Sequence, residues 1–115
     1  MSARSHVTSH VLDASLGRPA AGVAVRLDRL DRLADGGWSP VADEVTDADG
    51  RASQLGPEAL DPGVYRVVFD TGAYFGDRPT LYPEVVIVFE LAEASEHYHI
   101  PLLLSPFAYS TYRGS

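Results

Sequence analysis

A chain of 115 residues with 45% hydrophobic and 22% charged residues is sized for one domain that buries a core without a metal or disulfide staple. Its formal net charge of -7 argues against nucleic acid or anionic membrane as a main partner, and the absence of cysteine excludes disulfides, thiolate catalysis and cysteine-ligated zinc. No apolar run approaches the roughly 20 residues of a membrane helix and no signal-peptide core follows Met1, so a single cytoplasmic domain over residues 1–115 is expected.

Residues 6–13 alternate as a first strand, with His6, Thr8, His10 and Leu12 on one face, and the turn-prone residues 13–19 close it. Residues 22–30 alternate again, Asp35-Gly36-Gly37 turns the chain, and residues 38–46 return, which predicts a hairpin. Asp47-Ala48-Asp49-Gly50-Arg51 opens like a calcium loop, but its glycine falls too early and no glutamate closes it. It is expected to be a turn, with Arg51 entering a short strand. A loop over residues 56–63 leads to a strand at 64–70, and Thr71 is placed to cap one or two helical turns after it. Residues 84–91 read as a buried strand, and a short loop then leads to a strand containing His97 and His99. Pro106 breaks that strand before a last one ending at Tyr112.

In the histidine strand Tyr98, Ile100, Leu102 and Leu104 share an apolar face, leaving His97, His99, Pro101, Leu103 and Ser105 on the other. Short strands with frequent turn signals and hardly any helical period indicate an antiparallel β-sandwich. If the first, histidine and last strands are neighbours in one sheet, their outer faces form one surface carrying His10, His99, Leu103, Ser110 and Tyr112. A neutral imidazole, with an ordinary pKa near 6.5, takes a proton from water at physiological pH, and a guanidinium stabilises an oxyanion. Together they suggest hydrolysis or hydration of a small polar carbonyl compound.

Four segments then carry a resemblance: residues 9–13 (SHVLD), Gly37-Trp38 with residues 46–51 (TDADGR), residues 63–69 (GVYRVVF), and residues 97–105 (HYHIPLLLS) with the ending 109–115 (YSTYRGS). They are similar to the 5-hydroxyisourate hydrolases, the transthyretin-related enzymes of purine breakdown, and the Tyr-Arg-Gly-Ser ending is the most specific of them. The resemblance implies an all-β, transthyretin-like antiparallel β-sandwich of two four-stranded sheets with one short helix. It implies metal-free opening of the six-membered ring of 5-hydroxyisourate, without a cofactor. His10, Arg51 and His99 correspond to its catalytic residues, and Tyr112, Arg113, Gly114 and Ser115 to its substrate-binding terminus. It further implies a homotetramer, a dimer of dimers with a central channel and sites at the dimer-dimer interface. Phe107-Ala108 and Leu81-Tyr82-Pro83 depart from the family's commoner residues. Two other readings are weighed against this one: a zinc hydrolase using His97, His99 and His10 or His6, and a transthyretin-like carrier of a small aromatic ligand. His6 and His97 are expected to be ordinary surface histidines.

Overall fold

The structure, a computed structural model, describes residues 4–31 and 36–115. Its strands are β1 (Val7–Asp13), β2 (Arg18–Pro19), β3 (Ala24–Asp31), β4 (Gly37–Val45), β5 (Arg51–Ala52), β6 (Gly63–Phe69), β7 (Val85–Leu91), β8 (Tyr98–Ser105) and β9 (Ala108–Thr111), with one helix, α1 (Thr71–Phe75). They form two sheets, one ordered β2-β1-β8-β9 with β5 also on β1, the other β4-β3-β6-β7. The two-layer sandwich follows from the alternation. Val7 and Val11 of β1 and Ile100, Leu102 and Leu104 of β8 lie in one core with Val25, Leu27, Tyr65, Val67 and Phe69 of the other sheet. Each such side chain, removed from water, contributes about 1.5–3 kcal/mol.

The expected sandwich is therefore observed, with four differences of detail. The first sheet has five strands and not the expected four, because the short β5 pairs with β1 alongside β2. Every pairing is antiparallel except the central one: β1 runs parallel to β8, in register Val7 with Tyr98 through Asp13 with Leu104. A strand closing a loop of about 90 residues is free to enter in either direction, and the hairpin logic that fixes local pairings does not reach it. The stretch 13–19, expected to be turn alone, contributes β2, which pairs Leu12 with Pro19 and Asp13 with Arg18. The cap of α1 is Asp70, whose carboxylate accepts from Ala73 N–H at 3.3 Å, because the Thr71 hydroxyl instead donates to the Tyr82 carbonyl at 2.6 Å. The turn expected at Asp35-Gly36-Gly37 lies partly outside the described residues, and Gly36 takes φ +76°.

Asp13 ends β1 and ties the two layers together. Its buried carboxylate accepts from Ser15 N–H at 3.0 Å, Leu16 N–H at 3.1 Å, Tyr74 O–H of α1 at 2.7 Å and Arg78 at 3.2 Å. Burial alone would raise its pKa, but the hydrogen bonds from Ser15, Tyr74, Leu16 and Arg78 outweigh it and hold the group at about 2. The 47–51 turn is fixed just as firmly. Asp47 Oδ1 accepts from Asp49 N–H at 2.9 Å and Arg51 N–H at 3.0 Å, and Gly50, at φ +76°, packs so closely on the Val11 carbonyl that a Cβ there would collide with it.

Candidate active site

Strand pairing assembles the site. Parallel partners present the same face, so Thr8 stands beside His99 and His10 beside Pro101, and across the β1/β5 pairing His10 stands beside Arg51. His10, Arg51 and His99 thus occupy adjoining positions on the outer face of one sheet, with Leu103 and its β9 partner Ser110 further along it. A bridge between His99 and Gly114, through Gly114 N–H to the His99 carbonyl at 2.9 Å, brings the last residues onto the same strand. Gly114 lies against the imidazole itself. A Cβ at position 114 would overlap His99 Cδ2 and stand 3.1 Å from Cγ, which explains why glycine is required there.

The result is a cavity of about 140 Å³ lined by His99, Arg51, Arg4, Ser9, Ser53 and Ser115, with Thr8 at its wall. Among the described residues no carboxylate side chain lines it, although the chain as a whole carries a net charge of -7. Neither Arg4 nor Arg51 forms an ion pair among the described residues. Larger hollows, of about 600 Å³ beside Arg29 and Asp31 and about 500 Å³ beside Arg26 and Glu84, contain no imidazole.

Each imidazole has a definite environment. His10 Nε2–H donates to the Asp49 carbonyl at 3.0 Å, which leaves Nδ1 as its bare nitrogen. His99 Nδ1 is 2.8 Å from the Thr8 hydroxyl, and Nε2 takes no partner among the described residues. Burial lowers the His99 pKa, and the proximity of His10, Arg51 and Arg4 lowers it further, so the ring is neutral at physiological pH. His97 is bound to the same Thr8 hydroxyl through Nε2 at 2.8 Å. Its pKa is also lowered, by burial and then by Arg4, His99 and His6.

His6 is not a surface residue. It is 5% exposed, its Nδ1 accepts from Leu60 N–H at 2.9 Å, and its Nε2–H donates to the Glu96 carbonyl at 2.6 Å. Both nitrogens are consumed by backbone, which makes it a clamp between loops. Among the described residues no group of three His, Cys, Asp or Glu side chains is arranged to hold a metal ion.

The terminal tetrapeptide divides. Ser115 lines the His99 cavity and Gly114 packs on its imidazole, but Tyr112 and Arg113 line a separate groove of about 500 Å³ with Phe89, Tyr98 and Ile100. Arg113 stacks over the Tyr98 ring at 4.5 Å and pairs with Glu96 at 3.2 Å. Sequence reasoning gave residues 1–5 no part. Arg4 nevertheless lines the cavity, and the Ser5 hydroxyl accepts from Leu55 N–H at 2.9 Å, which holds that segment in place.

Comparison with known proteins identifies the family and the fold. The HIUase/Transthyretin family profile matches residues 7–114. The 5-hydroxyisourate hydrolase of Salmonella typhi is 46% identical over 119 residues, covering 100% of this chain and 85% of that protein. The solved structure of Klebsiella pneumoniae 5-hydroxyisourate hydrolase superposes with a TM-score of 0.82 at 35% identity, over 95% of this chain and 98% of that one. Transthyretin from Sparus aurata superposes with a TM-score of 0.86 at 40% identity, over 96% and 97%. The enzymes and the transthyretins share this one sandwich, and the chain belongs to the HIUase/Transthyretin family.

Proposed function

We propose that the protein hydrolyses 5-hydroxyisourate to 2-oxo-4-hydroxy-4-carboxy-5-ureidoimidazoline in urate breakdown, with its own side chains supplying the chemistry. One observation carries the reading: a neutral imidazole, His99, shares a cavity with Arg51 and Arg4, and among the described residues no carboxylate side chain lines that cavity to compete for the two guanidinium groups. His99, with His10 alongside, takes a proton from water as it adds to the ring carbonyl, and Arg51 receives the developing oxyanion. The 46% identity to an enzyme of that name supports the substrate. The test is whether purified protein accelerates the loss of ultraviolet absorbance of 5-hydroxyisourate made in situ by urate oxidase. Spontaneous decay unchanged by the protein would defeat the assignment. A carrier role has the likeness to thyroxine-bound sea bream transthyretin behind it, at 38% identity, and thyroxine binding without hydrolysis would favour it.

The same reading includes a homotetramer with sites where dimers meet. A cavity of 140 Å³ is less than half the roughly 300 Å³ at which small-molecule sites begin, so a second surface is needed to close it. The half-buried Leu103 and exposed Ser110 stand beside it on the outer face. The expected assembly is four chains of 12.4 kDa. Leu103→Glu, which sets like charges across a two-fold contact, should yield dimers of low activity by light scattering. Fully active dimers would show that the site is complete without the channel.

Two further outcomes follow from the site. Because His99 is held below the ordinary 6.5, its base form persists into mild acid, so kcat/KM should be level through neutrality and fall only below pH 6.5. A profile still rising above pH 7 would contradict this. Gly114→Ala should displace the imidazole or the terminus and reduce activity at least about tenfold, roughly 1.4 kcal/mol, with little change in melting temperature. Steady-state kinetics with parallel thermal melts would check both halves.

A further inference from the structure

Thr8 is 6% exposed, and its one hydroxyl lies 2.8 Å from His97 Nε2 and 2.8 Å from His99 Nδ1. A hydroxyl has a single proton to give, so it cannot donate to both rings, and at least one ring must present an N–H to it. The tautomers of the two histidines are therefore coupled. The rings also open on different spaces. His99 lines the reaction cavity, whereas His97 lines a second hollow of about 280 Å³ with His6, Glu58 and Glu96. Arg4 borders both.

Resting on the reading of His99 as the hydrolytic base, we propose that Thr8 is a positioning residue that fixes the His99 tautomer, and that His99, Thr8 and His97 form a proton wire from the reaction cavity to the second hollow. At rest His99 Nδ1–H donates to Thr8, Thr8 O–H donates to His97 Nε2, and His97 carries its own proton on Nδ1. This leaves His99 Nε2 bare towards the cavity, as a base requires. When water adds to the carbonyl, its oxygen forms the new C–O bond and one of its protons moves to His99 Nε2. The Nδ1 proton of His99 passes to Thr8, the Thr8 proton passes to His97 Nε2, and His97 releases its Nδ1 proton to solvent in the second hollow.

All three residues finish neutral, with both rings in the opposite tautomer. His99 Nε2–H then protonates the ring nitrogen released when the C–N bond breaks. The wire runs back from solvent, through His97 Nδ1, to restore the starting state. Such an exit suits a ring that cannot comfortably hold charge, because His99 is half-buried and faces His10, Arg51 and Arg4. On the far side His97 faces Arg4, His99 and His6, and Glu58 and Glu96 line the hollow into which the proton leaves.

Thr8→Val preserves the shape and removes the hydroxyl. It should reduce kcat at least about tenfold with KM almost unchanged, and Thr8→Ser should return kcat to within about threefold of the parent. His97→Phe should lower kcat to the same degree, and the double variant no further, since the wire is already cut. Nitrogen-15 spectra of the histidine rings in ligand-free protein at neutral pH should show His99 protonated on Nδ1 in the parent and on Nε2 in Thr8→Val. A Thr8→Val protein with parental kcat, or a parent whose His99 carries its proton on Nε2, would overturn the proposal. The ring spectra need no substrate and the parent protein suffices for them. Failure to hydrolyse 5-hydroxyisourate would thus defeat the functional reading alone, and a variant that did not fold would leave the tautomer test in force.

Discussion

Replacing His99 by alanine is expected to reduce kcat/KM for 5-hydroxyisourate by about 100- to 10,000-fold while the sandwich stays folded. The ring is half-buried on the outer face and fills no core volume, since the core at this strand is built by Tyr98, Ile100, Leu102 and Leu104. The main-chain bond from Gly114 N–H to the 99 carbonyl survives the change. Arg51→Ala should cost about 100- to 1,000-fold, the range for loss of one group stabilising an oxyanion, again without unfolding, because Arg51 is exposed and its turn is held by Asp47 and Gly50. His10→Ala should also be impaired, since its Nε2 bond to Asp49 leaves Nδ1 bare on a residue that pairs with Arg51 across β1 and β5. Folded variants by circular dichroism with parental rates would remove these residues from the mechanism.

The largest effect on stability is expected at Asp13. Asp13→Ala strands the donors of Ser15, Leu16 and Tyr74, and bonds to a charged acceptor are worth about 1.5–3 kcal/mol each. Ser15 and Leu16 are exposed and regain water, so the net loss is put at about 3 kcal/mol, or roughly 10 °C in melting temperature. Asp13→Asn keeps one acceptor and should lose less. The carboxyl has a folded pKa of about 2 against 3.8 when free, so its stabilisation is complete above pH 3.8 and is lost as pH falls through 2. The shift corresponds to about 2 kcal/mol. Parent and Asp13→Asn should therefore converge in stability at strongly acidic pH. An Asp13→Ala protein melting at the parental temperature would show that the two layers do not depend on this carboxylate.

What the sequence made legible is what a period of two and turn chemistry encode. Strands β3, β4, β6, β7 and β8 stood within a residue or two of their expected bounds, because each is framed by glycine, proline or aspartate and buries alternate side chains. His10, Arg51 and His99 were found through motif resemblance, and the faces on which they stand follow from alternation. Arg4 was not legible: one cation in an unpatterned leading segment gives no signal, and its place in the cavity depends on Ser5 bonding to the distant Ser53 and Leu55. The pair of hydrogen bonds at the Thr8 hydroxyl was equally hidden. Alternation put Thr8 on the face of His10, but only the parallel register across residues separated by 91 positions brings it between His97 and His99.

That parallel pairing has a consequence for synthesis. Strand β1 is made first, yet its central neighbour β8 leaves the ribosome some 90 residues later, a delay of about five to twenty seconds at ordinary elongation rates. Until then Val7 and Val11 have no β8 beside them and the unsatisfied edge of the nascent strand is open to other chains. The β3/β4 hairpin, whose partners are local, can form long before. A message truncated between codons 92 and 97 yields a polypeptide with every strand of the β4-β3-β6-β7 sheet but a first strand paired only with the short β2 and β5, a species that should aggregate instead of surviving as a monomeric half-sandwich.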